Sequence, residues 1–170
     1  MEDIKLKPSE IERAMDFWGC SAEERETLPF KLTPYQKRFI KHLDDFFNYK
    51  IIGEVKWQNH CAMRARVGSK IVFSAMGELI PEECTAFPPH VAGLNGFCSF
   101  AVQMMQPFIH VVQDRIMSGC ANPSPMGIDH VKCIDSEPAR GGTGETRFTI
   151  YCVKEKVKVP EGMYRIKVGQ

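Results

Sequence analysis

The chain has 170 residues, of which 44% are hydrophobic and 25% charged, and its formal net charge is +1. These values are typical of a globular protein, and the balanced charge argues against a nucleic-acid partner. No apolar run reaches the ~20 residues of a membrane span, and the charged N-terminus lacks the apolar segment of a signal peptide. The sequence therefore predicts a cytoplasmic protein without nucleic-acid or membrane partners.

The first fifty residues predict a helical segment. Residues 8–19 have a helical apolar face, and residues 21–28 begin with capping-box spacing. Residues 33–49 form the strongest helix signal of this segment, because Thr33 can cap the helix and Pro34 suits its first position. The apolar stripe of this helix is aromatic, which is typical of a core or a subunit interface. Its members are Tyr35, Phe39, Leu43, Phe46 and Phe47.

From residue 50 onward the pattern changes to strands and turns. The predicted strands cover residues 50–58, 70–74, 129–135, 146–159 and 164–168. Loops rich in proline and glycine separate them at 81–96 and 120–127. We expect an α+β fold, with an N-terminal helical segment over 1–50 and an α+β domain over 51–170. In that domain a small, mainly antiparallel sheet packs on one long helix.

The long helix is predicted over residues 95–119. Asn95 can cap its first turn, and Gly119 can end it in the left-handed conformation. Cys98 falls in the first turn, where the helix dipole favours a thiolate, although it also lies on the apolar face. Pro107 falls in the middle, where it removes one backbone hydrogen-bond donor.

The sulfur content is high, with seven cysteines and nine methionines. Both side chains are oxidisable, so the composition fits an anaerobic or reducing habitat. An odd cysteine count without an export signal argues against a disulfide framework. Cys61 is flanked by His60, Arg64 and Arg66, and neighbouring cations lower the pKa of a thiol. Alternatively, Cys61 lies at a strand end and the two arginines that follow it are simply solvated.

Two further residues could take part in chemistry. His110 lies on the polar side of the predicted long helix. It could carry protons, or it could be an ordinary surface histidine. Cys133 precedes Asp135 by two residues, a spacing that could serve a metal or a thiol–acid pair. No cysteines form the close pairs of zinc or iron–sulfur motifs, so a metal site on Cys61, Cys98 and Cys133 is only an alternative. The sequence specifies no cofactor.

Several motifs resemble a family of small uncharacterised repeat proteins found largely in anaerobic bacteria and archaea. The segments are HCAMRARVGSKIVF, GELIPEEC, GFCSFAVQMMQPFIHVVQDRI and VKCID, and the resemblance covers about residues 55–155. The chain departs from the pattern at Ser69, where the family has an acidic residue after the glycine. The resemblance implies no known activity, but it singles out Cys61, Cys98 and Cys133.

Three hypotheses stay open at this point. The first is a small enzyme of anaerobic metabolism that acts on a small anionic substrate through Cys61 and Cys98. Arg64 or Arg66 would hold the anion, and His60 or His110 would carry protons. The second is a metal or iron–sulfur protein that uses Cys61, Cys98 and Cys133. The third is a non-catalytic subunit or homo-oligomer that docks through its aromatic helix.

Overall fold

The computed structural model describes residues 4–61, 65–85, 99–124, 129, 131–133, 141–142 and 144–158. Its helices are α1 (Pro8–Trp18), α2 (Ala22–Thr27), α3 (Pro34–Lys41) and α4 (Ser99–Met117). Its strands are β1 (Tyr49–Asn59), β2 (Lys70–Ser74), β3 (Val131–Lys132) and β4 (Glu145–Lys154). The predicted α+β class is confirmed. Within the described residues, no helix combines the length and the apolar character needed to cross a bilayer.

The N-terminal helices begin and end at local hydrogen-bonding signals. Gly19 ends α1 with a φ of 68°, which a glycine adopts without steric cost. The Ser21 hydroxyl accepts the Glu24 N–H at 3.3 Å, and the Glu24 carboxylate accepts the Ser21 N–H at 2.7 Å. The predicted capping box of α2 is therefore confirmed.

The third helix is shorter than predicted. We expected a helix over residues 33–49, but α3 ends at Lys41, a 3₁₀ turn covers Asp45–Asn48, and β1 begins at Tyr49. The Asp45 N–H donates to the His42 carbonyl at 3.0 Å, which replaces an α-helical bond. This tighter turn places Phe46 and Phe47 in the interior, where each side chain is 2% exposed. Burial of the two aromatic rings stabilises this arrangement and offsets the lost helical hydrogen bonds.

The sheet has the strand order β2-β1-β4-β3, and every pair is antiparallel. The face toward α4 is apolar, and its fully buried side chains include Ile51, Val55, Phe148 and Ile150. Phe46 from the helical segment belongs to the same hydrophobic cluster. Of the predicted strands, those at 50–58 and 70–74 match β1 and β2, and β4 ends five residues earlier than predicted, at Lys154. The predicted strand at 164–168 lies outside the described residues.

The helix α4 runs antiparallel to β1 across this face. Met105 lies over the middle of β1, where a Cβ added at Gly53 would be 2.6 Å from the Met105 sulfur. Further along, the Gln113 amide donates to the Ala75 carbonyl at 3.0 Å, beside the start of β1. The N-terminal end of α4 therefore points toward the end of β1. Gly119 has a φ of 70°, which confirms the predicted C-terminal stop.

The opposite face of the sheet carries a buried lysine. The Lys50 side chain is 3% exposed and its ammonium donates to Glu83 at 2.7 Å and to Glu155 at 2.6 Å. Burial alone lowers the pKa of Lys50, but hydrogen bonds to Glu155 and Glu83 outweigh it and raise the pKa. These ion pairs tie the segments that follow β2 and β4 to the sheet.

Candidate active site

Two of the singled-out cysteines lie at one end of the sheet, where β1 finishes and β4 begins. This region consists of Cys61, Cys133 and residues 144–146, which lie between the two cysteines. We call it the thiol end. The β1–β4 ladder reaches the pair Asn59–Glu145, so Cys61 follows two residues later. On the other side of β4, the Cys133 N–H donates to the Thr146 carbonyl at 2.8 Å. The strand order therefore puts the two cysteines on either side of one strand.

Cys61 sits on a tight turn after β1. His60 has a φ of 51°, the left-handed region that few non-glycine residues adopt. The Cys61 N–H donates to the Gln58 side-chain oxygen at 3.4 Å, and the half-buried side chain packs against the main hydrophobic cluster. His60 itself is exposed to solvent.

Gly144 makes this turn possible. A Cβ at Gly144 would lie 2.1 Å from the His60 carbonyl oxygen and 2.7 Å from the Cys61 Cα. Both neighbours are backbone atoms, which cannot move aside as a side chain can. Only glycine lets β4 approach the turn this closely, so Gly144 determines where Cys61 lies relative to β4.

A buried carboxylate also lies at this end of the sheet. The Glu145 side chain is 5% exposed and accepts hydrogen bonds from Lys132 and Arg147, each at 2.8 Å. These bonds, first from Lys132 and then from Arg147, lower the pKa of Glu145. The Arg147 guanidinium also lies 4.6 Å from the centre of the Trp57 ring. The network fixes Glu145 as a carboxylate and joins β1, β3 and β4 at this end.

The other predicted site residues divide into three groups. Arg66 is exposed in the turn before β2, and this turn pairs with Val55, six residues before Cys61 in the chain. Cys98 and Arg64 lie outside the described residues. His110 lies elsewhere, because it is eleven positions beyond Ser99 on α4, ~17 Å along the helix axis. The catalytic roles of Cys98 and His110 stay predictions, as do the substrate-binding roles of Arg64 and Arg66.

Two other thiols have raised pKa values. Burial raises the pKa of Cys152 to about 12. Burial also raises the pKa of Cys84, whose sulfur donates to the Ile80 carbonyl at 3.2 Å. A thiol with a raised pKa holds little thiolate at neutral pH and reacts slowly. Cys84 and Cys152 are therefore internal references for the reactivity of Cys61.

A second feature lies near the other end of α4. A groove of about 370 Å³, which we call the aromatic groove, lies between the helical segment and α4. Its lining residues are Trp18, Tyr35, Gln36, Phe39, Phe46, Met76 and Gln113. The Gln113 amide nitrogen donates to the Ala75 carbonyl at 3.0 Å, and its oxygen lies 3.2 Å from His110 Nδ1. The structure thus gives His110 a contact with the wall of this groove.

The metal alternative lacks a preformed site in the part of the chain that the structure describes. There, no three histidine, cysteine, aspartate or glutamate side chains are grouped closely enough to hold an ion. The proposed set includes Cys98, which lies outside that part, so the alternative stays a prediction. With β4 between them, the strands that carry Cys61 and Cys133 are ~10 Å apart, whereas two Zn–S bonds span ~4.6 Å.

Sequence reasoning missed Gly144, Glu145 and the aromatic groove. The segment PARGGTGE indicates a turn, but nothing local shows that its last glycine touches the backbone of His60. Alternation in β4 places Glu145 and Arg147 on one face, and that signal could have indicated their ion pair. No protein-family model, curated protein or solved structure matches this chain. Any function proposed for it therefore rests on its own residues.

Proposed function

We propose that the protein is an enzyme that acts on a small anionic organic substrate through the thiolate of Cys61. The observation that carries the proposal is the fold's placement of Cys61 and Cys133 on either side of β4 at one end of the sheet. The N-terminal end of α4 points to this end as well, and Cys98 is the residue before Ser99 in the chain. The positive end of a helix dipole favours both a thiolate and a bound anion.

Each residue has a distinct part in this proposal. Cys61 supplies the thiolate sulfur that meets the substrate, and its half-buried position lets a small molecule reach it. Arg66 supplies an exposed cation for the anionic group. His60 is adjacent to the nucleophile and exchanges protons with solvent. Cys98 is the second thiol of the proposal, and Cys133 supports the wall of the site from the far side of β4.

The first test compares the thiols of one protein. The folded chain is treated with iodoacetamide at pH 7, and each cysteine is followed by mass spectrometry. We expect Cys61 to react at least about tenfold faster than Cys84 and Cys152, because burial raises the pKa of both reference thiols. In the denatured chain the three rates should become equal. A Cys61 rate no higher than that of the reference thiols would sink the proposal.

The second test measures selectivity for an anion. Iodoacetate carries a negative charge that iodoacetamide lacks, so their rate ratio at Cys61 reports a nearby cation. We expect Arg66→Gln to lower this ratio about threefold, an exposed-charge effect of ~0.6 kcal/mol. The matched control is Lys31→Gln, which removes an exposed cation from the helical segment. Equal ratios in both variants would remove Arg66 from the site.

The metal alternative has its own test. Protein purified without oxygen is analysed for zinc and iron, and its absorption spectrum is recorded. Stoichiometric metal that is lost in Cys61→Ser and in Cys133→Ser would favour the alternative over thiolate chemistry. Docking through the aromatic helix has less support, since Phe46 and Phe47 are buried within the chain's own core.

A further inference from the structure

We propose that the aromatic groove is a separate binding site for an uncharged, planar, fused-ring heteroaromatic molecule. The site is independent of the thiol chemistry. Gln113, in its wall, is fourteen positions beyond Ser99 on α4, which corresponds to ~21 Å along the helix axis. A ligand here would therefore not touch Cys61.

The size and walls of the groove favour a flat ligand. Its volume of about 370 Å³ falls in the range of small-molecule pockets, ~300–1,000 Å³. Trp18 and Phe39 lie nearly parallel, at 17° with ring centres 6.0 Å apart. Phe46, 2% exposed, forms a rigid buried part of the lining. Aromatic walls bind another aromatic ring by stacking, with more affinity than burial of apolar area alone gives.

The polar groups of the groove set the charge of the ligand. The lining contains two carboxamides, Gln36 and Gln113, and the phenol of Tyr35, but no ionised side chain among the described residues. The Gln36 oxygen already accepts the Thr33 N–H at 2.8 Å. Gln113 already bonds to Ala75 and His110. Each carboxamide still has a second N–H to donate and a second lone pair to accept. An uncharged ring with an N–H and a carbonyl on one edge, such as a lactam, matches this pattern. An ionic ligand would lose hydration without gaining an opposite charge.

Gln113 is held in one orientation. Its nitrogen must face the Ala75 carbonyl, 3.0 Å away, because a carbonyl can only accept. Its oxygen therefore faces His110 Nδ1, 3.2 Å away, which donates. The carboxamide in the wall is thus preorganised, and preorganisation reduces the entropy cost of binding. This assigns His110 a positioning role in the groove.

The chain offers a built-in reporter for a binding experiment. It has two tryptophans, Trp18 in the groove and Trp57 on β1. In a Trp57→Phe background, only Trp18 fluoresces as tryptophan. Quinolin-2-one is the probe, since it is flat, uncharged and carries a lactam edge. Decahydroquinolin-2-one keeps the lactam but is not planar, and 2-oxoquinoline-4-carboxylate keeps the ring but is charged.

We expect quinolin-2-one to change Trp18 emission in a saturable way. In competition, the saturated and the charged analogues should each displace it about tenfold less well. Gln113→Leu should weaken the binding of quinolin-2-one about tenfold, because it removes the hydrogen bond proposed between the carboxamide and the lactam. Tyr35→Ala, at a 53% exposed residue, should weaken binding without a risk to folding. Val111→Ala, at a 42% exposed residue of α4 outside the groove lining, is the control and should leave binding unchanged.

Three results would overturn the proposal. The first is no saturable change in Trp18 emission. The second is equal affinity for the flat and the saturated lactam, which would indicate nonspecific apolar binding. The third is a Trp18 emission that depends on protein concentration without probe, which would show that a second copy of the chain covers the groove.

Discussion

The two ends of α4 differ in what holds them together. The thiol end depends on a close backbone approach at Gly144 and on the ion pairs of Glu145. The aromatic groove depends on stacked rings and uncharged amides, with Gln113 held by a neighbouring carbonyl. The first arrangement suits charged chemistry at a sulfur atom, and the second suits binding of a neutral ring. One helix thus separates a proposed reaction site from a proposed binding site.

The largest expected effect is at the thiol end. Gly144→Ala would place a Cβ 2.1 Å from the His60 oxygen, at a φ of +147°. Since neither backbone can move cheaply, we expect the free energy of unfolding to fall by ~3 kcal/mol or more. Urea denaturation measures this loss.

The control for this variant is Gly68→Ala. Gly68 also has a positive φ, +86°, but no atom lies within 4 Å of its added Cβ. Backbone strain alone should cost ~1 kcal/mol there. Equal losses in the two variants would mean that the contact with His60 is unimportant.

The second-largest loss of stability is expected from a substitution that faces the middle of α4. Gly53→Ala puts a Cβ 2.6 Å from the sulfur of Met105, whose side chain is fully buried. Overpacking of this kind costs ~1–3 kcal/mol. Because α4 crosses β1 here, both ends should lose stability together in hydrogen exchange. The smaller side chain in the double variant Gly53→Ala/Met105→Val should recover part of the loss, and no recovery would contradict the packing shown by the structure.

The loss of folding stability at acidic pH should depend on Glu145 at the thiol end. The lowered pKa of Glu145 means that the folded state binds its proton less readily than the unfolded chain does. Its stabilisation is therefore present above ~pH 4.3, the usual glutamate pKa, and is lost as the pH falls through the folded pKa. Glu145→Gln should lower stability at pH 7 and flatten its decline between pH 5 and pH 3. A pH profile parallel to that of the parent chain would exclude this role.

The smallest effect should come from His110. His110→Ala removes an exposed side chain bonded only to Gln113 among its described contacts, so stability should change by less than ~0.5 kcal/mol. His110→Ala should leave the rate of Cys61 alkylation unchanged and should weaken the binding of quinolin-2-one in the aromatic groove. Slower alkylation of Cys61 at neutral pH, with unchanged groove binding, would instead assign His110 to the thiol end.

Local signals predicted much of the fold. The capping box at Ser21 and the stop at Gly119 are hydrogen-bonding patterns within a few residues, so the sequence contains them in full. The end of α3 is different. Residues 42–48 keep a helical apolar period, but the α-helix ends at Lys41 and a 3₁₀ turn follows, with Phe46 and Phe47 buried.

The sequence by itself determined the α+β class, the helix caps at Ser21 and Thr33, and the choice of Cys61, Cys98 and Cys133 as residues of interest. These follow from periodicity, capping chemistry and residue type, which act over short distances along the chain. Tertiary structure decided which of these residues meet. Strand order placed Cys61 and Cys133 on either side of β4, and the direction of α4 carried His110 to the aromatic groove. Such pairings depend on contacts between distant segments, and local sequence patterns do not encode them.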